Sequence, residues 1–345
     1  MYDAIREIAA GMTVEEKKAL VAELRAAIAE DLAPGPGDPL ACPRCGCERR
    51  VRKGRAADGS QRRPREGCGR TFGATTRGPL AASKLPPGKW MAYAERMADR
   101  LGLRESAAGC GAGPPTSRFM RIRLCEAMAS RPRPFRQRAS RQAGGMAAGE
   151  GLSGNHSRSE GFSMPRRRRR SGSDSHKRGI PDEKVCVMTG ADGCGGEFAV
   201  LCCRGRERAE DVLAACEGRV GEGTDVATDM HRSYPRAMEA LGASSHVKAG
   251  PGERSDGDIN LADSMHSRPG GFLSRFHGVA TRRLQNYLDW FCYAEQSGNS
   301  DADRREVLFG HAAEGSCGRS RREMLGLPHP FMEYWDACSI MSNVV

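Results

Sequence analysis

Hydrophobic and polar positions change period several times along the chain. Thr13 stands three residues before Glu16, the spacing of a reciprocal helix cap. Val14, Leu20, Val21, Leu24 and Ile28 then recur at helical spacing and predict a helix over 14–31. "LAPGPGDP" ends it as a linker. Between 89 and 129, "KWMAYAERMADRLGL" and "SRFMRIRLCEAMA" predict helices separated by the turn-rich "AAGCGAGPPT". From 183 the period falls to two: Val185, Val187 and Thr189 alternate, "GADGCGG" marks a turn, and "EFAVLCC" is a second apolar run. That is the signal of a β-hairpin. "ERAEDVLAACEGRV" then reads as a helix, "EGTDVAT" as a short strand and "SYPRAMEALGA" as a helix, with two more helices at "INLADSMHSR" and "TRRLQNYLDWFCYAEQ". Strand, strand, helix, strand, helix is an α/β pattern with sheet and helices in layers.

Composition narrows this picture. Of 345 residues only 39% are hydrophobic and 6% aromatic, which suggests modest cores joined by irregular stretches. A net charge of +11 is the footprint of a polyanion binder, most commonly a nucleic-acid binder, with a basic protein of no such role as the alternative. No apolar run approaches the roughly 20 residues that cross a bilayer, so no membrane partner is expected. The acidic, amphipathic N-terminus does not read as a signal peptide. Fourteen cysteines without such a signal argue for a reducing interior, with the cytoplasm, on nucleoid DNA, as the expected location. Most cysteines, Cys186 and Cys292 among them, read as free thiols in packing positions. The segment 130–182 is biased toward Arg, Ser and Gly; its run Arg166–Arg170 is suited to a phosphate backbone, though most charge runs are simply solvated.

Three groups of residues carry candidate chemistry. Cys42-x-x-Cys45 is a zinc knuckle, and Cys68 follows in "GCGRTF"; the expected fourth ligand position is Arg65, with Cys47 as a cramped substitute. Arg118, Arg121 and Arg123 on the second helix of a helix-turn-helix would lie along a DNA groove, or form the solvated face of a plain helical hairpin. Asp229 closes the strand at "TDVATD", and Asp263 lies near a helix start. Two-metal phosphodiester chemistry needs carboxylates converging from different elements, and a strand end holds such an acid rigidly. Either aspartate is equally suited to capping a helix.

Taken in order, "CPRCGCERRVRKGRAADGSQRRPREGCGRTF", "KWMAYAERM", "TDMHRSYPRAMEALG" and "INLADSMHSRPGGFLSRFHGVATRRLQNYLDWFCY" resemble the zinc-ribbon-bearing DDE transposases of bacterial insertion sequences, in the ISXO-like (IS-fifteen-ninety-five) group. The resemblance runs from about residue 40 to about 295. It implies an N-terminal helix (1–35), a zinc-ribbon-like module (40–73), a helical DNA-binding region (85–130) and a basic linker (131–182). A ribonuclease-H-like catalytic domain (183–300) and a C-terminal tail (301–345) would follow. It further implies Mg²⁺ or Mn²⁺ held by two aspartates and a third acid or asparagine, with Zn²⁺ in the ribbon. The implied partners are terminal inverted repeats, target DNA and further copies of the chain on paired ends.

On this pattern Asp229 is the second aspartate and Asp263, after Asn260, the third position. The first falls on Gly144, with Met146 and Ala147 where Thr and Tyr are expected. A strand without β-branched or aromatic residues is a poor strand former. Glu150 is a remote substitute for the missing acid. Pro114-Pro115 falls where the recognition helix would be set, and Pro269-Gly270-Gly271 is expected to interrupt the helix after Asp263. Departures in independent elements imply a decayed copy with impaired strand cleavage and transfer. The alternative is a non-catalytic DNA-binding protein derived from a transposase.

Overall fold

The reciprocal cap at Thr13 and Glu16 forms: the Thr13 N–H donates to Glu16 Oε2 at 2.7 Å, and the Glu16 N–H to Thr13 Oγ1 at 3.3 Å. It opens α2 (Val14–Leu32), which follows α1 (Tyr2–Gly11). The computed structural model describes residues 2–32, 83–130, 141–152, 184–192, 196–248, 260–296 and 321–333, with short pieces between 42 and 81 and between 308 and 319. At Tyr2, Ala4, Leu32, Arg141, 260–266 and Arg321 it describes the backbone alone. The chain divides into two units, 1–130 with 300–320 and 131–299 with 321–345.

In the first unit a two-residue ribbon pairs β1 (Arg63–Pro64) with β2 (Thr71–Phe72). Three helices follow: α3 (Pro87–Ala98), α4 (Leu103–Gly109) and α5 (Pro114–Ala129). Trp90, Tyr93 and Met97 of α3 are fully buried, as are Met120 and Leu124 of α5. The Trp90 ring meets Phe119 edge-on at 6.3 Å, and Tyr93 Oη lies 2.9 Å from Ser117 Oγ. Pro114 and Pro115 do not damage α5, because they occupy its first turn, where the missing N–H has no helical partner to lose.

The second unit holds a mixed five-stranded sheet. Its strands are β3 (Arg141–Gly149), β4 (Lys184–Ala191), β5 (Glu197–Arg204), β6 (Asp225–Thr228) and β7 (Ser245–Lys248). In space the order is β5-β4-β3-β6-β7. β3 pairs antiparallel with β4 and parallel with β6, β4 pairs antiparallel with β5, and β6 pairs parallel with β7. Only β4 therefore runs against the rest. The predicted hairpin is β4–β5. The short strand is β6, and β3, expected to be a poor strand, is the middle of the sheet. Ladder bonds on both sides hold it in place of side-chain propensity.

Alternation gives the sheet two apolar faces. On one, Met188, Phe198 and Val226 pack against Val212, Ala215 and Cys216 of α6 (Ala209–Cys216) and Tyr234, Ala237 and Met238 of α7 (Tyr234–Ala240). On the other, Met146, Val185, Val187 and Ala199 pack against Leu273 of α8 (Asn260–Ser274) and Leu284 and Leu288 of α9 (Thr281–Gln296). A last short helix is α10 (Arg321–Leu325). α8 runs through Pro269 without interruption. Loss of one hydrogen bond there is offset by packing: Phe272 sits 5.0 Å from Trp290 and 5.7 Å from Phe291 of α9, ring centre to ring centre. Among the described residues no helix is long and apolar enough to cross a membrane.

Leu288 is fully buried, whereas Leu24 on α2 is 55% exposed. Leu288→Ala is expected to cost about 2–5 kcal/mol, and Leu24→Ala to stay within about 0.5 kcal/mol. Urea denaturation of each variant measures both.

Candidate functional site

Parallel pairing sets β6 against the start of β3, with Arg141 opposite Val226, Gln142 opposite Ala227 and Ala143 opposite Thr228. One further step brings Asp229, at the carboxyl end of β6, beside Gly144. The strand order turns back on itself at this junction: the chain leaves β3 toward β4 and β5, then crosses to β6 and β7. In layered α/β sheets such a switch point opens a crevice at the strand ends. Gly144 is buried, and its carbonyl accepts the Thr189 hydroxyl at 3.1 Å. Lying two residues before Met146, it opens onto the face covered by α8 and α9.

Asp229 is half-buried. Its Oδ1 accepts the His231 N–H at 2.9 Å, a local turn that pins the carboxylate. Asn260 and Asp263 lie in the first turns of α8, which packs on β3 and β4; their side chains fall outside the described residues. Further along α8, Arg268 donates to Glu197 at 2.7 Å and Glu295 at 2.6 Å. Glu197 starts β5 at the same end of the sheet as Gln142 and Ala191. This anchors α8 near the end where Gly144 lies.

Glu150 does not replace the missing acid. It sits six residues beyond Gly144, ~20 Å along an extended strand. It is 1% exposed, accepts the Arg204 Nε–H at 3.1 Å and lies 3.5 Å from His329 Nε2. Two metal ions ~3.5–4 Å apart need several convergent carboxylates. From the sheet Asp229 brings one and Gly144 none, so the described donor set does not fit a two-metal site.

The arginines of α5 divide. Arg118 is exposed. Arg121 is 1% exposed and donates to the Leu101 carbonyl at 2.7 Å and Ser106 Oγ at 3.1 Å. Arg123 is 4% exposed and donates to the carbonyls of Pro79, Ala81 and Arg319. The expected three-arginine face is thus reduced to Arg118, because the other two guanidinium groups tie α5 to neighbouring backbone. In the ribbon, Cys42 is buried and its N–H donates to the Cys47 carbonyl at 2.9 Å. Cys45, Cys68 and Arg166–Arg170 lie outside the described residues.

Two features escaped the sequence reading. Glu207, just before α6, is 6% exposed, with Oε1 3.4 Å from His231 Nδ1 and Oε2 accepting the Cys186 thiol at 3.6 Å. Cys186 is a buried free thiol, as expected, and it also clusters with Cys202 and Cys203. Hydrogen bonds from Cys186 and then Cys202 hold the Cys203 thiol below the ordinary thiol range. A "VCV" facing an "LCC" was the available signal, but it has meaning only once the strand register is known.

Glu150→Gln is expected to destabilise the chain by about 3–5 kcal/mol, since it removes the buried charge that accepts from Arg204; a denaturation midpoint reads this. His246 on β7 lies 2.7 Å from Thr228 Oγ1. Burial, and then Lys248, hold its pKa below the ordinary 6.5. The folded chain therefore binds this proton less tightly than the unfolded chain. The stabilisation is full above pH ~6.5 and is lost as pH falls through the lower folded value. Urea midpoints at several pH values should fall on acidification, and His246→Gln should flatten that slope. No protein-family model and no curated protein matches the chain.

Proposed function

We propose that the chain is an insertion-sequence transposase by descent, one that binds transposon ends but whose DNA cleavage and strand transfer are impaired by Gly144. The observation that carries this reading is the register of β3 against β6, which sets Gly144 beside Asp229 at the switch point of the sheet. The same two positions were assigned by the resemblance as first and second catalytic acids. α8, which bears Asp263, lies over the same face of β3. The central position of β3 and the sheet-and-helix layering support a ribonuclease-H-like domain. A glycine offers no oxygen to a metal ion, so the bridging carboxylate of a two-metal reaction is lost at this position.

Binding would rest on phosphate contacts from the basic surface, consistent with the net charge of +11 and the exposed Arg118. Such binding weakens steeply as salt rises. A non-catalytic DNA-binding protein is the reading favoured if the catalytic centre is beyond repair.

The test is cleavage of DNA carrying candidate terminal repeats, with Mg²⁺ or Mn²⁺, by the native chain and by Gly144→Asp. The native chain should bind such DNA without cutting it, and Gly144→Asp should raise cleavage by at least about tenfold. Cleavage by the native chain would overturn the claim of impairment. Failure of both proteins to cut, with binding intact, would favour the DNA-binding alternative. Absence of DNA binding at low salt would sink the whole reading.

A further inference from the structure

On the sheet face opposite the one onto which Gly144 opens, three sulfurs meet. Cys186 belongs to β4, and Cys202 and Cys203 to β5; their Sγ atoms all lie within 4.8 Å of one another. Neighbouring residues on a regular strand point to opposite faces, so Cys202 and Cys203 should not both reach Cys186. A slip in register makes it possible. Val187 pairs with Leu201, but Cys186 pairs with Cys203, which leaves Cys202 as an extra residue on β5. A bulge of this kind re-aims side chains. Cys186 is fully buried, Cys203 is 8% exposed and Cys202 is half-buried, so the cluster has a dry interior and one sulfur toward the surface. All three are free of disulfides.

A carboxylate lies beside one of the three sulfurs, though it is not within 4.8 Å of all of them. Glu207 Oε2 lies 3.6 Å from Cys186 Sγ. Sulfur at about 2.3 Å and oxygen at about 2.0–2.2 Å from a tetrahedral zinc would be roughly 3.5–3.7 Å apart. The other oxygen of Glu207 lies 3.4 Å from His231 Nδ1, an outer contact of the kind that orients a ligand. Gly145 leaves room for the approach of Glu207 and Cys186. A Cβ there would meet Cys186 Sγ at 3.2 Å and Glu207 Oε1 at 3.3 Å.

We propose that Cys186, Cys202 and Cys203 bind a structural zinc ion that ties β4 to β5, with Glu207 as the nearest carboxylate beside Cys186. Thiolates select soft, borderline ions such as Zn²⁺, and three thiolates with one oxygen ligand complete a tetrahedron. The site is separate from the ribbon cysteines and independent of the transposase reading. It would hold in a chain with no DNA-cleaving history.

The full chain is reduced, stripped with a chelator and titrated with Zn²⁺ against a chromophoric competitor. The same titration is run in a background with Cys42, Cys45, Cys47 and Cys68 changed to serine. That background should retain one tight zinc, with X-ray absorption showing three sulfurs at about 2.3 Å and one lighter ligand. Added to it, Cys203→Ser should weaken binding by more than the ~10–100-fold typical of lost outer contacts. Cys202→Ser, at the half-buried sulfur, and Glu207→Gln should weaken it in the same direction, with circular dichroism confirming that each variant folds. Three outcomes would overturn the site: no zinc bound by the folded four-serine chain, fewer than three sulfurs around the metal, or unchanged affinity in folded Cys202→Ser and Cys203→Ser.

Discussion

The ladder between β3 and β4, from Gln142 opposite Ala191 to Gly149 opposite Lys184, is the constraint on which the second unit depends. β3 reads "RQAGGMAAG" and brings little side-chain bulk of its own. Its place at the centre comes from backbone bonding to β4 on one side and β6 on the other, and from the larger residues that neighbouring elements pack around it. Val185 and Val187 on β4, with Leu284 and Leu288 on α9, supply the apolar mass on one face. Small residues on β3 let these neighbours close in. At Gly145 an added side chain would crowd the thiol and carboxylate above it.

That ladder fixes two positions with different chemistry. On the α8 and α9 face, Gly144 lies beside the end of β6, where Asp229 stands without a partner acid on the sheet. On the α6 and α7 side, the slip between β4 and β5 gathers three sulfurs near Glu207. The first place offers one acid beside a glycine, and the second gathers donors from two strands. The first unit uses its charge differently. Arg121 and Arg123 are consumed in holding α5 to surrounding carbonyls, a structural use of cations that reduces the basic face expected on that helix.

Much of the local structure was legible in the chain. The Thr13–Glu16 cap, the β4–β5 hairpin, the strand before Asp229 and the periodic helix α9 follow from spacing alone, because each is set by contacts between near neighbours. β7 was not legible: it has four residues, Val247 is 48% exposed, and pairing with β6 defines it. The prolines of α5 and α8 were misread for a related reason. Their cost depends on position within a helix and on compensating packing, and a run of letters gives neither.

By itself the sequence determined most of the helical and extended segments and the basic balance of the chain. Only the tertiary structure decided that β3 is a strand at all, that Gly144 and Asp229 are neighbours, that two of three arginines are buried, and that Cys186 meets Cys202 and Cys203. The physical reason is range. Helical periodicity and capping are encoded within a few residues, whereas ladder register, burial of a charge and convergence of ligands depend on residues tens of positions apart.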